Sequence, residues 1–137
     1  MKHKKFRFLI VSVCVLVALI ISGIIMIQSM NKNLESLITA EINVIDLTVI
    51  DDGVYIGKYT ALPVSVTLHV HVVNHEMTQI DIIEHLNGQG SEGEAIIDSI
   101  ILTNSLQVDT IAGATYSSKV ILLAVENALT NLKTIES

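Results

Sequence analysis

The most constraining feature of this sequence is an apolar run near its start. Residues 8–27 carry no charged side chain and are mostly Leu, Ile and Val. A helix of about 20 residues spans about 30 Å, the thickness of the hydrocarbon core of a bilayer. A cleavable signal peptide is the alternative, but its apolar region usually has only about 7–15 residues before a small-residue cleavage site. The residues after this run offer no Ala-x-Ala site, so we expect an uncleaved membrane helix.

Charge is distributed unevenly around this run. Basic residues precede it at positions 2, 4, 5 and 7, whereas only Lys32 follows closely. This bias predicts a single-pass protein of the plasma membrane with a cytoplasmic N-terminus and an extracytoplasmic C-terminal domain. All 14 acidic residues follow the run, against lysines at 32, 58, 119 and 133. The acidic domain argues against nucleic acid or an anionic lipid surface as a partner.

The run also divides the chain into three segments. Residues 1–30 form the predicted cytoplasmic tip and transmembrane anchor, residues 31–45 a juxtamembrane connector, and residues 46–137 the extracytoplasmic domain. Helical spacing of apolar residues in the connector suggests that it continues the membrane helix. The single cysteine, Cys14, lies inside the run after Val13, where we expect a small buried hydrophobe rather than a lipid-attachment site.

Periodicity in the domain indicates an antiparallel sheet. A first strand is expected over residues 54–59, and residues 64–72 alternate between apolar and polar, which is typical of a half-buried strand. A four-residue hairpin turn at 74–77 would lead into a third strand over 78–84, with Ile80 and Ile82 facing inward. The short connections predict a meander.

Two helices are expected after the sheet. The first covers about residues 92–103, with Ser91 and Glu94 in a capping box. Its predicted buried face comprises Ala95, Ile96, Ile100 and Ile101. The second covers residues 117–133, with an apolar stripe at Val120, Ile121, Ala124, Val125, Ala128, Leu129 and Leu132. A sheet followed by segregated helices indicates an α+β fold.

Polar chemistry is concentrated just before the second helix. Asp109 supplies a carboxylate, and Gly113-Ala114 allows the backbone to approach another group closely. Three hydroxyls lie where the free N–H groups of a helix start would point: Thr115, Ser117 and Ser118. Such a site suits a phosphate, because unpaired amides and the helix dipole both favour an anion. An ordinary N-cap is the alternative, since Ser and Thr are frequent cap residues.

The order Asp109, three residues, Gly113-Ala114-Thr115, Tyr116, Ser117-Ser118 resembles the flavinylation motif of the FMN-binding domain family. That family includes the subunits of the sodium-translocating NADH:quinone reductase and of the Rnf complex that carry covalent FMN. Residues 52–57 (D-G-V-Y-I-G) and the sequence Glu84-His85-x-x-Gly88-x-Gly90 resemble further stretches of the family. Ala112 stands where the family usually has Ser or Thr.

The resemblance implies roles for these residues. In the family, a flavin transferase uses FAD to attach FMN through a phosphoester, which would make Thr115 Oγ the acceptor. Asp109 would orient this hydroxyl or bind the metal of the transferase, unless it is a solvated turn acid. Tyr116 would stack on the flavin or simply flank the helix start. His85, Gly88 and Gly90 would lie near the flavin, unless they form a flexible loop.

The implied activity is electron transfer with a redox partner in the membrane or cell envelope. The chain would then be an electron carrier or a component of an oxidoreductase, with the flavin rather than a side chain as the reactive group. Two other classes stay open. One is a metal-binding module built on His69 and His71 with His75 or His85, although this spacing matches none of the common zinc motifs and a solvated strand face is the alternative. The other is a structural or regulatory membrane domain without a cofactor.

Overall fold

The computed structural model describes residues 2–86 and 91–132. Contacts divide the chain into two units, Met1–Asn33 and Leu34–Ser137. The elements within the described residues follow in this order: α1 (Lys2–Thr39), a 3₁₀ helix (Leu47–Val49), β1 (Gly53–Ala61), β2 (Val64–Val73), β3 (Glu76–Leu86), a second 3₁₀ helix (Ser91–Ala95), α2 (Ile96–Thr103) and α3 (Thr115–Asn131).

The first unit consists of the greater part of α1. Its apolar stretch Ile10–Ser29 has 20 residues with a mean hydropathy of 3.1, and none of it is buried inside the protein. By length and composition this helix is able to cross a membrane, although an N-terminal signal sequence would have the same properties. Cys14 is exposed on this helix.

The second unit contains a three-stranded antiparallel sheet in the order β1-β2-β3. The five apolar residues of the alternating pattern in β2 are all buried, because they face the helices while their polar neighbours face outward. The predicted α+β fold is thereby confirmed, with a three-stranded sheet packed against helices. Ile80 is buried as expected, and Ile82 is half-buried.

The turn between β2 and β3 is shorter than predicted. Only Asn74 and His75 lie between the strands, with φ angles of 52° and 63°. Positive φ at both central residues is the requirement of a two-residue hairpin turn whose twist matches that of the strands. Glu76 and Met77, which we placed in the turn, instead pair with Val73 and Val72.

The helical part differs from the prediction at its first helix. The predicted capping box is wrong, because residues 91–95 form a 3₁₀ helix and the N-cap of α2 is Ala95, which makes no side-chain cap hydrogen bond. Ile96 and Ile100 are buried as expected, whereas Ala95 is exposed. Its methyl group thus contributes little to the core.

Helix α3 is the centre of the domain and packs on β1 and β2. It begins at Thr115, two residues before the predicted start, and residues 120–125 are all buried. Six consecutive buried apolar residues are typical of an enclosed helix segment, whereas Lys119, Glu126 and Asn127 lie at partly buried positions on either side of it. Leu132, assigned to the apolar stripe, lies beyond the end of the helix and is half exposed. Lys133, the predicted last residue, lies outside the described residues.

Gly57 sets the distance between the sheet and α3. A Cβ atom at this position would overlap the carbonyl oxygen of Ala124 and lie 2.8 Å from the Cβ of Ala128. Only a residue without a side chain permits this approach.

From Leu34 onward, the connector is part of the second unit. Leu37, in the last turns of α1, is 1% exposed and belongs to the core. Three side chains of the domain form hydrogen bonds with the residues that follow α1. Lys119 Nζ donates to Ala40 O (2.8 Å), and Gln107 Nε2 donates to Ile42 O (2.9 Å). The Glu126 carboxylate accepts hydrogen bonds from Asn43 N (3.2 Å) and Asn43 Nδ2 (2.6 Å). These bonds attach the connector to α3 and to the loop before it.

Two asparagines satisfy backbone groups on the outer strands. Asn127 Oδ1 accepts a hydrogen bond from Lys58 N of β1 (3.2 Å), and Asn104 Oδ1 accepts one from Met77 N of β3 (2.8 Å). Occupied backbone groups on an edge strand make it a poorer template for pairing with another chain.

Candidate functional site

The Gly113-Ala114 segment forms a tight turn in front of α3. Ala114 N donates to Ile111 O (3.0 Å), and Gly113 has a φ of 83°. This φ is that of the third residue of a type II turn, where glycine is favoured. A Cβ at Gly113 would meet no atom within 4 Å. Glycine is therefore required here for its backbone conformation, and the surface beside it is open.

Helix α3 starts without a side-chain cap. Its N-cap is the buried Ala114, whose methyl group accepts no hydrogen bond. The first N–H groups of a helix have no partner within the helix itself, so this start suits an anion. Thr115 is the first helical residue and is half-buried, and Tyr116 is 39% exposed. The hydroxyl and the aromatic ring thus lie at the accessible end of the helix.

Ser117 and Ser118 have a different environment. They are 2% and 0% exposed. Ser118 Oγ accepts a hydrogen bond from Ile111 N (3.1 Å), which ties the loop to the helix. Both serines are thus buried, unlike the more accessible Thr115 and Tyr116. The Ser118 hydroxyl stabilises the turn through its hydrogen bond with Ile111 N.

Asp109 is exposed and lies in the loop between α2 and α3. It borders a concave surface of about 300 Å³ that Gln107, Thr110 and Lys119 also line. Lys119 is four residues after Thr115, so both are on the same side of α3. Asp109 thus lies on the side of the domain where Thr115 and Lys119 are found, although Thr115 does not line the concavity.

His85 lies at the end of β3, on the side of the sheet that faces the helices. Its side chain is only 3% exposed, and its Nδ1 is 2.7 Å from Oε1 of Glu94, which is 43% exposed. Because an ionised carboxylate only accepts hydrogen bonds, Nδ1 is the protonated nitrogen of this pair. Gly88 and Gly90 lie outside the described residues.

Gly93 connects these two regions, and the sequence reasoning missed it. A Cβ here would lie 2.7 Å from the Cβ of Ser117 and 3.1 Å from Ser118 N. The 3₁₀ helix Ser91–Ala95 is therefore in close contact with the first turn of α3. The available signal was a glycine inside a predicted helix, which usually has a packing reason.

Two other histidines, His71 and His75, have protein partners. His71 Nε2 lies 2.8 Å from Asp81 Oδ2, and Gln79 donates to Oδ1 of the same carboxylate. The hydrogen bond from Gln79, followed by that with His71, holds the pKa of Asp81 below its usual value. His75, in the hairpin turn, has its Nδ1 3.1 Å from Leu47 O and 3.2 Å from Ile50 O.

These contacts bear on the metal-binding alternative. Among residues 2–86 and 91–132, no group of three or more His, Cys, Asp or Glu side chains is arranged to hold a metal ion. The described part of the chain therefore gives no support to a metal module built on His69 and His71.

The fold and the motif define a class of protein: a small α+β domain with a phosphate-compatible helix start, carried on a chain with a helix able to cross a membrane. The family model of the FMN-binding domain matches residues 61–130, about half of the chain, and the chain belongs to this family. The matched range runs from the end of β1 through α3 and includes the whole motif. Neither the curated proteins nor the solved structures that were compared gave a match. Family membership confirms the resemblance and supports flavin binding.

Proposed function

We propose that this chain is a membrane-anchored flavoprotein that carries FMN in a phosphoester bond to Thr115. The observation that supports this most directly is the position of Thr115 in an FMN-binding domain. Its side chain is half-buried at the first residue of α3, directly after an open glycine turn and an N-cap without a side-chain hydrogen bond. A phosphate on Thr115 Oγ would meet the first N–H groups of the helix.

The residues present fit this group. FMN supplies the redox chemistry when it is bound, and the protein supplies attachment and environment. For attachment, Thr115 Oγ forms a bond to the FMN phosphorus of FAD, which a flavin transferase binds. The bond from this phosphorus to the bridging oxygen of the pyrophosphate breaks, AMP leaves, and the hydroxyl proton passes to a base. Asp109 is on the same side of the domain and is our candidate for orienting the hydroxyl or a metal ion of the transferase.

We further propose that the domain works outside the cytoplasm. The basic residues before the apolar run favour a cytoplasmic N-terminus. A covalent bond would retain the cofactor in a compartment where a dissociated flavin would be lost. The electron donor and acceptor would then be partners in the membrane or the cell envelope.

The test is the intact mass of the full chain produced together with a flavin transferase. We expect an increase by the mass of FMN less one water, and a yellow colour that persists after denaturation. Thr115→Ala should lose both, whereas Thr110→Ala, a threonine five residues earlier in the loop, should keep both. An adduct that survives Thr115→Ala would move the attachment elsewhere. A colourless wild-type chain would favour the cofactor-free alternative.

A further inference from the structure

The first turn of α3 depends on contacts from outside the helix. Its N-cap residue, Ala114, makes no side-chain cap hydrogen bond. A capping side chain commonly stabilises the first turn of a helix, so this helix start lacks a common source of stability. Thr115 therefore relies on the elements packed around it for a defined position.

The 3₁₀ helix Ser91–Ala95 is such an element. Its Gly93 is close enough to Ser117 and Ser118 that a Cβ would collide with the Cβ of Ser117. The Ser118 amide in turn donates a hydrogen bond to Ala114 O (2.9 Å), and the Ser118 hydroxyl accepts one from Ile111 N (3.1 Å). A displacement of the 3₁₀ helix would thus reach the residues on both sides of Thr115.

The 3₁₀ helix is itself attached to the sheet by the residue after Gly93. The Glu94 carboxylate accepts a hydrogen bond of 2.7 Å from the buried His85 of β3. This bond joins β3 to the short helix, and hydrogen bonds to ionised groups are the stronger ones. The contacts form one connected path, from His85 through Glu94 and Gly93 to Ser117.

We propose that Glu94 is a positioning residue for the acceptor Thr115. Its hydrogen bond with His85 keeps the 3₁₀ helix packed against the first turn of α3. This packing fixes the position of the Thr115 hydroxyl for phosphoester formation. This inference rests on the proposed function for the attachment step, while the ordering of the helix start is independent of any cofactor.

The test measures hydrogen exchange and flavin attachment on the full chain in detergent micelles. In the protein without flavin, Glu94→Ala should raise the exchange rates of the Ser118 and Ile111 amides about tenfold, the size expected for one hydrogen bond to a charged group. The exchange of Val70 in the core of β2 should not change. With the transferase and FAD, the rate of attachment should fall by a similar factor.

Two variants serve as controls. Glu94→Gln keeps an oxygen acceptor for His85 without the charge, so both rates should lie between those of Glu94→Ala and the wild type. Glu92→Ala removes an exposed acid from the same 3₁₀ helix and should change neither.

Several results would overturn the proposal. In Glu94→Ala, these are unchanged exchange rates at Ser118 and Ile111, an equal rise in the exchange rate of Val70, or an unchanged rate of flavin attachment despite faster exchange. A Glu94→Gln variant with the same rates as Glu94→Ala would also overturn it. A wild-type chain that accepts no flavin would refute the proposed function instead, and the exchange rates would still decide whether Glu94 orders the helix start.

Discussion

Replacing Gly57 by alanine tests the packing of the domain most directly. The new Cβ would overlap the carbonyl oxygen of Ala124 and lie 2.8 Å from the Cβ of Ala128 and 3.0 Å from the carbonyl carbon of Ala124. Carbon atoms prefer separations of about 3.5–4.0 Å. Two of these neighbours are backbone atoms, so α3 as a whole must move away from β1.

The cost of this movement is estimated from other overpacked cores. Insertion of a methyl group usually destabilises by about 1–3 kcal/mol, and a clash with a helix backbone belongs at the upper end. We therefore expect Gly57→Ala to lower the free energy of unfolding by about 3 kcal/mol. For a domain of about 100 residues this corresponds to a fall in Tm of roughly 12–24 °C.

Tyrosine fluorescence is a suitable measurement during urea denaturation of the full chain in detergent micelles. The chain has no tryptophan, and its three tyrosines, at 55, 59 and 116, all lie in the domain. Gly53→Ala is the matched control, because the atoms nearest to its Cβ would be those of the Tyr55 side chain at 3.7 Å, an ordinary contact. Equal stability of the two variants would refute the packing argument.

Two further changes test the turn and the outer face of the sheet. Gly113→Ala places a side chain in open space but at a φ of 83°. Backbone strain alone should therefore lower the free energy of unfolding by about 1–2 kcal/mol. The same urea assay measures this loss, with Ala112→Ser as a neutral comparison. The pKa of Asp81 is lowered in the folded state, so its contribution to stability is present above the unfolded pKa of about 3.9 and is lost as pH falls through the folded value. In Asp81→Asn, the urea midpoint of unfolding should therefore depend less on pH between about pH 2 and 5. An unchanged pH dependence would contradict this. The effect should be small, because solvent screens an exposed carboxylate.

The sheet was predictable because its signal is local. Alternation over residues 64–72 arises directly from one buried and one partly exposed face, and β2 has those faces. The turn length was not predictable in the same way, since Asn74 and His75 reach positive φ only in the context of two paired strands. The buried stripe of α3 followed from the same kind of periodicity.

The site was predicted only in part, because long-range contacts determine it. The S-E-G-E sequence satisfied the local rule for a capping box, but in the folded chain Glu94 binds His85, nine residues earlier. Likewise, Ser117 and Ser118 satisfied the rule for hydroxyls at a helix start, yet the contact with Gly93 buries them. Whether the motif residues bind FMN stays a prediction that the mass measurement addresses.

The attachment of the connector determines where the chain tolerates shortening. A fragment that begins at residue 46, at the predicted domain start, would lose Leu37 from the core, and it would leave Lys119, Gln107 and Glu126 without their hydrogen-bond partners. A fragment that begins at Leu34, the first residue of the second unit, retains all of these. For expression without the membrane segment, residues 34–45 should therefore be retained, since they include Leu37 and the residues that Lys119, Gln107 and Glu126 bind.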